Sequence, residues 1–137
     1  MKISLKVEYS CRVLAQLARW SGRNELPHIE SLAEIEKIPA NYLVQILNDL
    51  RAGGLVVSRR GKQGGYALSR PAAEISLYDI IKAMDGELLG FTERPKGASG
   101  KNVARVWDEV IRLFEEKTKA TNLDHFLQAE GNAMWHI

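Results

Sequence analysis

Two short runs of this sequence carry side chains suited to a polyanion. The first is Arg59-Arg60-Gly61-Lys62-Gln63-Gly64-Gly65-Tyr66, with three cations and three glycines. Arginine in a narrow minor groove meets an enhanced negative potential, and glycines let a backbone approach phosphate closely. Arg60, nearest the glycine tip, is the stronger minor-groove candidate. The second run is Asn41, Tyr42, Gln45, Asn48 and Arg51. Asn and Gln can pair bidentately with adenine in the major groove, and Arg51, one turn beyond Asn48, can reach backbone phosphate. Lys2, Lys6 and Tyr9 are candidates for flanking phosphates. Singly, each is an ordinary solvated position; as a set on one scaffold they point to double-stranded DNA.

The elements that must position them follow from periodicity. From Leu5 to Ser21 the residues Val7, Ser10, Leu14, Leu17, Ala18 and Ser21 share one arc of a 3.6-residue period, with Val13 and Cys11 at its edges. Glu8, Arg12, Gln16 and Arg19 are expected to point outward. A short helix, Leu32 to Lys37, is capped by Glu30 or Ser31 and turns Leu32, Ile35 and Ile38 inward. After Pro39 a second helix runs from Ala40 to Ala52 with Leu43, Ile46, Leu47 and Leu50 inside, closed by Gly53-Gly54 in an αL cap. Two helices joined so tightly have the helix-turn-helix pattern, whose second helix is offered to a groove.

The period then changes. Leu55 to Arg60 is short and β-branched, Tyr66 to Ser69 is its partner, and the five residues Gly61 to Gly65 contain three glycines. This predicts a β-hairpin with a flexible tip. Ser76 caps a helix to Asp85 with Leu77, Ile80, Ile81 and Met84 inward. A loop from Gly86 to Gly100 follows, and then the longest helix, Lys101 to Ala120. Its stripe of Val103, Val106, Trp107, Val110, Ile111 and Phe114 is more apolar surface than one small domain needs to hide. A two-fold dimer through this helix presents two winged helices to a palindrome. Thr121 or Asn122 caps a last helix, Leu123 to Gln128. The expected fold is mostly α with a small β-hairpin, a winged helix-turn-helix plus a long C-terminal dimerisation helix. The expected organisation is residues 1–85 for DNA binding, 86–100 as a sensor loop, 101–128 for the dimerisation and last helices, and 129–137 as a tail.

Composition narrows the function. The 137 residues are 45% hydrophobic and 26% charged, which excludes a wholly disordered or fibrous chain. Residues 1–70 hold eleven Lys and Arg against six Asp and Glu, a balance of +5; residues 71–137 hold eight against eleven, −3. A basic first half suits a polyanionic partner. One cysteine, Cys11, allows no internal disulfide, no apolar stretch spans a membrane, and the first ten residues show no secretory signal. A cytoplasmic location is expected. His28, His125 and His136 have no ligand spacing.

The order of these motifs, with PANYLVQILNDLRAGGLVVSRRGKQGGYALSRPAAEISLYDIIKAMDG at its centre, resembles the winged-helix transcription-regulator family that includes the iron–sulfur cluster regulator IscR, the nitric-oxide sensor NsrR and the cysteine-metabolism repressor CymR. The similarity covers residues 1–128. It implies homodimers with crossed long helices, operator DNA as ligand and a wing arginine in the minor groove. The matching positions are Tyr42, Gln45, Arg60, Gly61, Gly64, Gly65 and Tyr66. Cluster-binding members carry three closely spaced cysteines before the long helix, and the loop from Gly86 to Gly100 contains no cysteine and no histidine. A variant of the family uses a carboxylate from the first helix, where Glu8 stands, but its companion histidine is replaced by Arg12 and its loop cysteine is missing.

The expected function is therefore a DNA-binding transcriptional regulator of the repressor type, homodimeric on an inverted repeat, with no cofactor and no metal. Leu88, Leu89 and Phe91 mark the sensor position, as the lining of a pocket for a small molecule, as a dock for a partner protein, or as part of a disordered loop. The sequence leaves two alternatives: a helical interaction module that binds protein rather than DNA, and a regulator with a non-standard metal or redox centre. An enzyme is not expected, because the sequence offers no nucleophile–base set, phosphate loop or metal-ligand spacing.

Overall fold

The structure, a computed structural model, describes residues 1–128; the tail from 129 and His136 lie outside the described residues. The described chain forms α1 (Leu5–Arg19), α2 (Ile29–Glu36), α3 (Ala40–Ala52), β1 (Val56–Arg59), β2 (Gly65–Leu68), a 3-10 turn (Ala72–Glu74), α4 (Leu77–Asp85), α5 (Gly100–Ala120) and α6 (His125–Gln128). The two strands pair antiparallel, with Val56 opposite Leu68 and Arg59 opposite Gly65.

Apolar positions on α1, α2, α3 and α4 meet in one core. Leu14, Leu17, Leu32, Leu43, Ile46, Leu47, Leu50 and Ile80 are all at most 1% exposed. Burying each such side chain stabilises the fold by about 1.5–3 kcal/mol before entropy is counted. Leu123 enters the same core, and the chain beyond α5 is stitched to the start of α4: Leu77 N donates to Thr121 O at 2.7 Å and Leu123 N to Ile75 O at 3.1 Å. Ser76 and Asp79 form a reciprocal capping box at α4, and Gly86 ends that helix at φ 83°.

Several local expectations are corrected. The first helix stops at Arg19 rather than Ser21, and Ser21 is exposed. Gln16 is turned inward, 9% exposed, because its Nε2 donates to Glu36 Oε2 at 2.7 Å. The second helix begins earlier, at Ile29, with His28 at its N-cap. Ile35 is 49% exposed, since Lys37 turns the chain at φ 55° and Ile38 fills the core instead. Gly53 is right-handed at φ −80°, and Gly54 takes the left-handed turn at φ 78°. A Cβ on Gly53 would lie 2.7 Å from Ala83 Cβ, so that glycine serves the approach of α3 to α4.

Candidate nucleic-acid interface

With Leu43, Ile46, Leu47 and Leu50 committed to the core, α3 turns Asn41, Gln45 and Asn48 to solvent together with Val44. Pro39 is the N-cap, and no side chain caps that end. Tyr42 is half-buried and meets Tyr9 edge to face, ring centroids 5.4 Å apart at 85°, while the Arg12 guanidinium lies 4.7 Å from the Tyr9 centroid. These aromatic rings clasp α1 against α3 and limit what Tyr9 and Tyr42 can present outward. Lys6 Nζ lies 3.3 Å from Asp49 Oδ2, so its charge is shared with α3 rather than wholly offered to phosphate. Lys2 lines a cavity behind α1, beside residues of α4 and α5.

The hairpin holds Arg59, Arg60, Gly61, Lys62 and Gln63 fully at the surface, and Gly64 and Gly65 are buried. A Cβ on Gly64 would lie 2.3 Å from Arg59 O, and one on Gly65, at φ 149°, would lie 2.4 Å from Pro27 O. Tyr66 N donates to Pro27 O at 3.1 Å, which fixes the root of the wing to the segment before α2. Thus Gly64 and Gly65 are required by close approaches within the wing and to the segment before α2. Gly61, at φ 105° with open space around its Cβ position, is the glycine at the accessible tip. Ser58 to Gly61 and Gly64 to Tyr66 line a groove of about 430 Å³ with His28, Ile29 and Glu30.

Helix and wing are joined directly. Arg51 donates through Nη1 to Ser58 Oγ at 3.2 Å and through Nη2 to Asn48 Oδ1 at 3.3 Å. Ser58 was not singled out from the sequence, because its contact depends on how the Gly53-Gly54 turn folds β1 back beside α3. Val44 is exposed as well, since it lies outside the arc of Leu43, Ile46, Leu47 and Leu50; its apolar type alone gave no reason to single it out.

The α5 helix is buried only at Gly100, Ala104 and Thr118. Val103, Val106, Trp107, Val110 and Phe114 are 37–53% exposed, as is Leu113, which belongs to the same stripe; Ile111 is half-buried at its flank. The loop before α5 is docked on it. Arg94 forms a two-pronged pair with Asp108, 2.9 and 3.2 Å, and its guanidinium lies 5.0 Å from the Phe91 ring centroid. That bond holds the Asp108 carboxyl below its usual range. Leu88 and Leu89 line a cavity of about 960 Å³ with Val7 and Cys11 of α1, Ile81 of α4 and Phe114 of α5. Phe91, expected with them, packs on Arg94 instead. The Cys11 thiol is pushed up to about 11, by burial first and then by the Glu8 charge.

A helix-turn-helix flanked by a basic two-stranded hairpin defines the winged-helix class of DNA-binding transcription regulators. Residues 3–129 match the family described as Rrf2, iron-dependent transcriptional regulator, and the chain belongs to that family. It is 35% identical to the HTH-type transcriptional regulator CymR of Bacillus subtilis over 120 residues, covering 86% of each chain. It is 38% identical to the HTH-type transcriptional regulator IscR of Cereibacter sphaeroides over 102 residues, 73% of this chain and 64% of that one. Among solved structures it resembles IscR of T. potens, with a TM-score of 0.78, 31% identity and coverage of 97% and 90%. It also resembles CymR of B. subtilis, the global cysteine regulator, with a TM-score of 0.72, 30% identity and coverage of 90% and 94%. Among the described residues no helix is long and apolar enough to cross a membrane.

The family's description raises the question of iron, and the donors here do not fit a cluster. The chain has one cysteine, whereas iron–sulfur clusters are held by several thiolates, and Glu8 is engaged by Arg12 at 2.7 Å. No three of His, Cys, Asp and Glu converge among the described residues.

Proposed function

We propose that this member of the family is a homodimeric repressor that reads an inverted-repeat operator without an iron–sulfur cluster. One observation carries the DNA reading. Asn41, Gln45 and Asn48 on α3 and Arg59, Arg60 and Lys62 on the wing are all exposed, on two elements tied together through Arg51 and Ser58. Amide side chains suit base edges in the major groove, and a cationic tip suits the minor groove beside it. Occupying both grooves obstructs other proteins on the same stretch, which favours repression.

The dimer reading rests on α5. Large apolar side chains at steps of three and four residues lie uncovered along its length, and a second copy supplies matching surface under two-fold symmetry. The cavity bordered by Leu88, Leu89 and Phe114 supports an effector reading, because an occupant there touches the docked loop and α5 together.

The test is selection of bound duplexes from genomic DNA, followed by a salt titration of the preferred duplex. A log–log slope near −0.9 per phosphate contact is expected; absence of salt-sensitive duplex affinity overturns the reading in favour of a protein-interaction module. Sedimentation should give twice the chain mass, and Val110→Glu should give a folded monomer, because Val110 is 43% exposed within one chain. Stoichiometric iron and acid-labile sulfide in anaerobically prepared protein would refute the cluster-free part.

A further inference from the structure

Val44 is 41% exposed on α3. Isolated exposed apolar residues are common, and Ile35 is another; what sets Val44 apart is its place. Asn41, Val44, Gln45 and Asn48 stand at i, i+3, i+4 and i+7, the spacing of a single helix face, and all four are exposed. The core positions Leu43, Ile46, Leu47 and Leu50 occupy the other side. Valine adds nothing to helix propensity, since its branched Cβ loses rotamer freedom in a helix.

Electrostatics orient this face. Asn48, at its C-terminal end, is bonded to Arg51, which is bonded in turn to Ser58 of the wing strand. With phosphates drawn to Arg51 and the wing cations, the middle of the stripe lies over base edges. In the major groove the base edges offer polar atoms, with one apolar exception, the C5-methyl group of thymine. Resting on the DNA reading above, we propose that Val44 packs against a thymine C5-methyl group and is a specificity-determining residue of the recognition helix. The thymine lies in the same base step as the adenine read by Gln45, or in the next, because the two side chains are neighbours on one turn.

The experiment replaces each thymine of the preferred duplex in turn by deoxyuridine, which deletes only the methyl group, and measures affinity for the wild-type protein and for Val44→Ala. Burying one methyl is worth roughly a three- to five-fold change in affinity. One position per half-site should lose that factor with the wild-type protein, and Val44→Ala, which keeps only the Cβ, should discriminate less between thymine and uracil duplexes there. Val44→Ala should remain folded, because the position is exposed and alanine favours helix. If no uracil substitution affects the wild-type protein while Gln45→Ala still alters the preferred sequence, the inference falls and the DNA reading stands. If Val44→Ala keeps the uracil penalty undiminished, another side chain reads the methyl group and the inference again falls. If no preferred duplex is recovered at all, both fall together.

Discussion

The guanidinium of Arg51 on α3 donates to the hydroxyl of Ser58 on β1 at 3.2 Å. This bond joins the last turn of α3 to β1, and its second arm reaches back to Asn48. The exposed face of α3 and the outer face of β1 therefore share one side chain. Both partners are exposed, so the bond contributes little to folding, within about 1 kcal/mol. Its consequence lies in preorganisation, since ordering flexible groups on binding is unfavourable.

Ser58→Ala and Arg51→Ala should consequently differ. Ser58→Ala removes the link and keeps the cation. It should weaken binding to the preferred duplex several-fold, with little change in the salt slope or in random-duplex affinity. Arg51→Ala removes both and should also lower the salt slope by about one phosphate contact. Fluorescence anisotropy across a salt series checks this, and identical slopes for both variants would show that Arg51 makes no phosphate contact.

Arg60 stands just before the tip glycine Gly61, and both are exposed. If it enters the minor groove, it exploits the narrow groove of A·T-rich DNA. Arg60→Ala should then lose more affinity for A·T-rich flanks than for G·C-rich ones. Competition binding with the two flank types reads the difference, and equal loss on both would make Arg60 a phosphate contact.

How much of this was legible before the structure depends on the range of the interaction. Leu43, Ile46, Leu47 and Leu50 repeat at helical steps, and all four are buried as that period requires. Ser76 as the cap of α4 is equally local, although its reciprocal partner Asp79, three residues on, was not singled out. Gln16 was misplaced because its partner Glu36 is twenty residues away. Lys6 looked free for phosphate because Asp49, its partner, sits on a different helix. Gly65 looked like a flexible tip residue because the carbonyl that crowds it, Pro27 O, belongs to a segment before α2. Period and local spacing reveal helices; the charges and glycines they carry find their partners only after folding.

Gly65 offers a stability test of that last point. Alanine there must accept a left-handed φ of 149° and a Cβ 2.4 Å from Pro27 O, both backbone constraints. Gly65→Ala should destabilise by about 2–4 kcal/mol in urea unfolding. Gly61→Ala faces a φ of 105° but open space, and should be less destabilising. Equal effects of the two substitutions would mean that the contact with Pro27 adds nothing.

Cys11 supplies the pH prediction. Its thiol is raised to about 11 in the folded chain, chiefly by burial and then by Glu8; an unfolded cysteine ionises near 8.5. The folded state thus holds its proton where the unfolded state has lost it. The sign follows: this contribution to stability is fully present below about pH 8.5 and is lost progressively as pH rises towards 11. Unfolding free energy measured between pH 8 and 10.5 should fall for the wild-type protein and fall less steeply for Cys11→Ala. Alkylation of the native protein by iodoacetamide at pH 8 should be slow, because little thiolate is present, and should become fast in denaturant. Rapid native alkylation at pH 8 would mean that the thiol ionises readily in the fold, and Cys11 would then be a reactive group on the cavity wall rather than part of its apolar lining.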